Sequence, residues 1–173
     1  MDKEWAQEVA QAAAGKARKG TNEAGPDVQS TLDRTKSMGF WGNPWNPEII
    51  DELAAPDMLL QYSLHAPRHG REDVRNFMEG FRAAFPDLNF WGAAELIAEG
   101  DYVVGRWEGG GTHTGPAFSD FLLGSLPAAS GRKMRFTGTT VLKVENGKIA
   151  EEVGLDDGVT ALRQLGILNL KVA

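Results

Sequence analysis

Cysteine is absent from the chain, which removes disulfide cross-links, thiol nucleophiles and thiolate metal ligands together. Histidine is scarce, and two of the three, His65 and His69, are separated by Pro67, so no regular helix can present both to a metal. No metal site is expected. Basic residues are outnumbered, 18 Lys and Arg against 24 Asp and Glu for a formal net charge of -6. The clustered positive charge that a phosphate backbone requires is missing, so nucleic acid is not an expected partner. No apolar run is long enough to cross a bilayer, and the opening Met1-Asp2-Lys3-Glu4-Trp5 puts charges where a secretory leader needs an apolar core. A cytoplasmic protein without a membrane partner is the expectation.

What is present suits one globular domain with a real core: 173 residues, 42% of them apolar. Residues 3–19 carry Trp5, Val9 and Ala12 at helical spacing, and Gly20 to Pro26 reads as a linker, so residues 1–26 form an N-terminal extension and 27–173 the domain. A second helix fits 27–38. Phe40, Trp41 and Trp45 then crowd a Gly- and Pro-broken loop, either completing a core or walling an apolar pocket. Pro47 suits the first position of a short helix running to Ala55, after which Pro56-Asp57 predicts a turn into a strand from Met58 to Tyr62. Val74, Phe77, Met78, Phe81 and Phe85 recur every three or four residues and stop at Pro86, the pattern of a core helix lying across a sheet.

The remainder reads mostly as strands. Val103, Gly105, Trp107 and His113 share one parity, with Arg106 on the other, and Gly109-Gly110-Gly111 predicts a bulge or bend. Those glycines do not form a phosphate loop, since no helix opens after them. Residues 115–131, with Phe118, Phe121, Leu122, Leu123 and Leu126, are unusually apolar for a loop and are expected to cover a cavity mouth or a subunit contact. Met134, Phe136, Gly138, Thr140, Leu142 and Val144 alternate with polar residues, a strand with one buried face, and Asn146-Gly147 turns it back on itself. On the returning strand Val153, Leu155 and Asp157 share a parity, which places Asp157 on the apolar face if no bulge intervenes. Val159, Leu162, Leu165 and Leu168 then predict a closing helix. Two roles fit Asp157: it caps that helix, or it points into the interior, where desolvation makes a carboxyl a usable proton carrier while Asp156 does the capping.

The run Gly147-Lys148-Ile149, Glu151-Glu152, Asp157 and Leu162-Arg163-Gln164-Leu165-Gly166, with Arg82-Ala83-Ala84-Phe85-Pro86-Asp87-Leu88 and Gly111-Thr112-His113-Thr114-Gly115 upstream, resembles the SnoaL-like polyketide cyclases of the nuclear transport factor 2-like superfamily. The resemblance spans about residues 44 to 168. It implies an α+β fold, a cone-shaped curved mixed or antiparallel sheet wrapped around helices, acting as a homodimer on a hydrophobic small molecule. It also implies cofactor-free intramolecular aldol closure, with Asp157 as acid and base and His113 holding charge on oxygen. Trp107, Gln61, Thr140 and Phe136 would line the substrate, with Val153, Phe118 and Trp45 beside them. Two departures stand out: Gln61 lies near where relatives often place a histidine, and Val153 where they place an aromatic. Epoxide- or hydratase-type chemistry, and a noncatalytic binding or dimerisation domain, remain open alternatives.

Overall fold

A computed structural model describes residues 47–93 and 96–169. Its first half runs α1 (Glu48–Leu53), β1 (Ala54–Gln61), β2 (Arg68–His69), α2 (Gly70–Ala84), β3 (Asn89–Gly92) and β4 (Ile97–Glu99). The second half runs β5 (Tyr102–Thr112), β6 (Phe118–Phe121), β7 (Gly124–Leu126), β8 (Lys133–Glu145), β9 (Lys148–Asp156) and α3 (Gly158–Gln164). The expected helices at 3–19 and 27–38, and the loop holding Trp45, lie outside the described residues.

Seven strands form one curved sheet in the order β2-β1-β9-β8-β5-β3, with β4 also on β5. Only β1 and β9 pair in parallel; the other ladders are antiparallel. The sheet is therefore mixed, and with α2 against it the architecture is the α+β fold that the resemblance implies. The period of two on β8 holds: Met134, Phe136, Thr140 and Val144 are buried while Arg135, Thr137, Thr139 and Val141 are exposed. Asn146 and Gly147 take φ of 50° and 71°, the doubly left-handed turn that matches strand twist. Val74, Phe77, Met78, Phe81 and Ala84 of α2 join the main core with Ile49, Met58, Leu60 and Leu162. Removing each of the larger side chains from water contributes about 1.5–3 kcal/mol.

Three local expectations need correction. Pro56-Asp57 does not turn the chain; it lies inside β1, in the stretch between Ala54 and Leu59 where pairing with β9 slips register. Proline has no ladder N–H, so it is tolerated there. Gly109-Gly110-Gly111 does not bulge either, since β5 pairs with β8 in unbroken register from Tyr102 to Thr112. A Cβ at Gly109 would lie 2.0 Å from the Phe90 ring, so the missing side chain makes room for an aromatic of β3. Residues 115–131 contain the β6–β7 hairpin, whose Phe118, Phe121 and Leu126 are buried in the main core while Leu122 and Leu123 stay exposed.

The correction that matters most for the site lies in β9. Lys143 pairs with Glu151 and Val144 with Ile149, leaving Ala150 as an extra residue in the ladder. One extra residue reverses side-chain parity for everything after it. Ile149 points inward, and beyond Ala150 so do Glu152, Gly154 and Asp156, while Leu155 is 78% exposed.

Candidate active site

Two glycines give the inner face its shape. A Cβ at Gly138 would sit 2.2 Å from the Trp107 ring, and one at Gly154 would sit 2.0 Å from the Tyr62 ring. Trp107 of β5 therefore lies over β8, and Tyr62, one residue past β1, lies over β9. Their polar tips meet at Thr140. The Trp107 indole N–H donates to Thr140 Oγ1 at 2.9 Å, and the Tyr62 hydroxyl donates to Glu152 Oε1 at 2.6 Å. Tyrosine has one hydroxyl hydrogen, so the 2.8 Å contact between Tyr62 and Thr140 is made by the threonine hydroxyl donating. Three hydrogen bonds thus run in one direction, from indole to the carboxyl of Glu152, which is fully buried. Such a chain offsets the cost of desolvating its polar groups. Burial, then the charge of Glu152, pushes the Tyr62 hydroxyl well above its usual range, so it stays a donor. Phe136 and Phe90 pack edge-on against Trp107 at 5.4 and 5.3 Å and give this polar line an aromatic wall.

Asp156 stands two residues beyond Gly154 on the same face. Its Oδ1 is buried and has no hydrogen-bond partner among the described residues. Burial is the largest influence on this carboxyl and raises its pKa; hydrogen bonding from Ser63, the charge of His65 and the Gly158 N–H act against burial without cancelling it. His65 is itself buried, with the rings of Phe77, Phe81 and Phe121 at 4.8, 5.4 and 5.2 Å. Its Nδ1 lies 3.0 Å from Asp120 Oδ2, and Arg68 grips the other oxygen of Asp120. Burial pushes the Asp120 carboxyl up, but the hydrogen bonds from His65 and Arg68 outweigh it and hold the group below its ordinary value.

Asp157, the carboxylate expected inside, is an exposed cap: it accepts from the Thr160 N–H at 3.2 Å at the start of α3. The Ala150 bulge turns it outward and Asp156 inward. His113 is fully buried, but both ring nitrogens are engaged in holding the following loop, Nε2 donating to Pro116 O at 2.8 Å and Nδ1 accepting from Ser130 Oγ at 2.9 Å. Both nitrogens are thus spent on the chain between β5 and β8, and the ring lies apart from the Trp107–Thr140–Tyr62 line. Gln61 is exposed and pairs with Val153 on the outward face, so neither lines the interior. Trp107, Thr140 and Phe136 do come together there. Phe118 is buried in the other aromatic group, 6.2 Å from His65, and Trp45 lies outside the described residues. A groove of about 440 Å³ lined by Thr112, Lys133, Arg135 and Gln164, among others, shares no residue with this cluster.

Sequence patterning missed Tyr62, His65, Asp120, Glu152 and Asp156 as site residues. A usable signal existed for one of them: Gly154 sits inside a strand, and glycine there marks a close approach by another group, here the Tyr62 ring.

The profile of the SnoaL-like polyketide cyclase family matches residues 34–165. No curated protein matches the sequence. Among solved structures, a proposed SnoaL-like polyketide cyclase from Jannaschia sp. CCS1 is 18% identical and has a TM-score of 0.67, over 86% of this chain and 100% of its own. TsrD from Streptomyces laurentii is 25% identical with a TM-score of 0.64, over 84% and 100%. IdmH from Streptomyces antibioticus, a proposed polyketide cyclase, is 26% identical with a TM-score of 0.59, over 80% and 98%.

Proposed function

Because the chain belongs to the SnoaL-like polyketide cyclase family, we propose that it is an enzyme closing a ring in a hydrophobic, polyketide-like substrate by cofactor-independent acid/base chemistry. In this reading Asp156 is the carboxyl that moves the proton, in the role expected of Asp157. The observation that carries it is the Asp156 side chain itself: a carboxyl aimed to the inner face, with a buried oxygen lacking a hydrogen-bond partner among the described residues, next to an aromatic wall. Burial that raises a carboxyl pKa moves it toward the working range of a general acid and base. An intramolecular aldol closure needs a proton removed from a carbon flanked by carbonyls and a proton delivered to the second carbonyl oxygen, and the product has the mass of the substrate.

The direct test is ring closure of a polyketide-type diketone ester, followed by absorbance and by mass spectrometry of an isomer of unchanged mass. Turnover by the wild type and a fall of roughly 10²–10⁴-fold in Asp156→Asn is the expected result. Wild-type rates in Asp156→Asn would overturn the assignment.

A homodimer built through the outer face of the sheet accompanies this reading. Ile97, Val104, Val141 and Val153 stand directly opposite one another across β4, β5, β8 and β9, an apolar row that faces outward. Ile97 is 68% exposed and Leu155 lies nearby, opposite Thr139. Epoxide- or hydratase-type chemistry with a buried arginine gains no support from Arg106, which is exposed on that same outer face.

A further inference from the structure

β8 runs on past the strand beside it. β9 ends at Asp156, whose partner is Gly138, so residues 133–137 of β8 pair with β5 on one side and with no strand on the other. In an antiparallel ladder the main-chain groups of every second residue point to the same edge. The open edge here belongs to Thr137, Arg135 and Lys133. Thr137 O accepts from the Asp157 N–H at 2.9 Å, and the Arg135 N–H donates to Oε1 of Gln164, the last residue of α3, at 2.6 Å. An N–H can only donate, so the amide oxygen of Gln164 faces the sheet and its Nε2, with two hydrogens, is left for another acceptor. Lys133 comes next along this edge, and no strand or side chain takes its N–H among the described residues.

The groove of about 440 Å³ lies along this edge, lined by Gly111, Thr112, Lys133, Met134, Arg135 and Gln164, a volume that suits a small molecule. Its charge runs against that of the chain, which carries -6 overall. Lys133 and Arg135 are exposed, and so are Arg132 and Arg163, the sequence neighbours of Lys133 and Gln164. The Arg132 guanidinium rests against Gly166, just past α3. Two carboxylates face these four cations, and both are engaged. Glu108 Oε2 holds Arg135 Nη2 at 2.9 Å, and Asp87 Oδ1 accepts from the Thr112 N–H at 2.5 Å. Burial acts to raise the pKa of Asp87, but the hydrogen bonds from Thr112 and the charge of Lys133 outweigh it and hold the carboxyl below its ordinary value. Arg135 is also fixed from the other side, its guanidinium 5.2 Å over the Trp91 ring, with N–H donors to spare. Neither Lys133 Nζ nor Gln164 Nε2 has a partner among the described residues.

We propose that this groove is a second ligand site, separate from the inner face, for a small molecule carrying a carboxylate or phosphate whose oxygens accept hydrogen bonds from the Lys133 ammonium, the Arg135 guanidinium and Gln164 Nε2. All three donors line one groove, and hydrogen bonds from charged donors to an oxyanion are the strong ones. Two of them are already oriented: Arg135 by Glu108 and Trp91, Gln164 by the sheet edge. Groups ordered before the ligand arrives lose less freedom on binding. The hydrocarbon stems of Lys133 and Arg135, with Met134 and Gly111 between them, offer an apolar floor to the rest of such a molecule. The excess of cations over carboxylates draws an anion in, and because the lining residues are exposed that attraction is screened by salt. The site stands on the groove alone and is independent of the acid/base reading of the inner face.

NMR of ¹⁵N-labelled full-length protein tests this with sodium phosphate and, separately, sodium succinate, each titrated near pH 7 at fixed ionic strength. The expected result is a saturable shift of the Thr112 and Arg135 amides and of the Gln164 side-chain amide. Saturation by phosphate alone assigns a phosphorylated ligand, by succinate alone a carboxylate, and by both a site that reads the shared oxyanion. Lys133→Gln should weaken binding about 10-fold, the loss of one hydrogen bond to a charged group, and Gln164→Ala should weaken it as well. Arg106→Gln, which removes the same charge from the outer face of β5, should leave binding unchanged. Shifts that stay linear with both anions overturn the proposal. So does equal weakening by Lys133→Gln and Arg106→Gln, which would reduce the effect to net charge.

Discussion

At the residue scale, two half-buried carboxyls, Asp156 and Asp120, are shifted in opposite directions, and the signs can be read in stability. The folded chain holds the proton of Asp156 more tightly than the unfolded chain does, because burial raises its pKa from 3.8. That contribution is complete below the unfolded value and is lost as pH rises through the folded one. Asp120 behaves in reverse: its pKa is lowered, so its contribution is present above the unfolded value and is lost as pH falls through the folded one. Thermal melts should therefore show Asp156→Asn equal to the wild type near pH 3 and at least as stable near pH 7, with Asp120→Asn costing stability near pH 7 and little near pH 3. Identical pH trends for the two variants would contradict the placement. Thr140 gives an independent check. Thr140→Val leaves the Trp107 N–H and Tyr62 oxygen without their partner, an expected loss of about 1–3 kcal/mol in denaturant unfolding.

At the scale of elements, β8 and α2 were readable from spacing because their patterns repeat without interruption over 13 and 15 residues. The Asn146-Gly147 turn was readable because few dipeptides accept two left-handed residues. β9 was not, and Ala150 is the reason. Nothing in Ile149-Ala150-Glu151-Glu152 marks the extra residue, yet it moves Asp157 to the surface and turns Glu152 and Asp156 inward. Asp157 remains useful as a cap: Asp157→Ala should lower stability by about 1 kcal/mol through the lost contact with the Thr160 N–H. Turnover should be unchanged. The hairpin of β6 and β7 was hidden for another reason, since an apolar loop and a short hairpin buried by Phe118, Phe121 and Leu126 have the same composition.

At the scale of the whole molecule, the α+β class came from the family resemblance, with which one strongly patterned strand, one amphipathic helix and the tight turn between β8 and β9 agree. The site did not, because its residues come from elements far apart in sequence: Tyr62 and Glu152 are separated by 90 positions, and His65 and Asp120 by 55. The register of the main sheet brings the first pair together, and the β6–β7 hairpin, tied to the β1–β2 connection by the Leu122 N–H on Leu64 O, brings the second. The outer face makes its own prediction. If the row through Val104, Val141 and Val153 joins two copies, light scattering should report a dimer for the wild type and a monomer for Val141→Asp, with the inner-face hydrogen bonds intact. A variant that stays dimeric would move the interface elsewhere.

The central claim is that one bulge selects which of two adjacent aspartates does the chemistry. Turnover of a diketone ester by Asp156→Asn and by Asp157→Asn, assayed side by side, tests it most directly. The account predicts a loss of roughly 10²–10⁴-fold for the first and wild-type turnover for the second; loss in Asp157→Asn with activity retained in Asp156→Asn would contradict it.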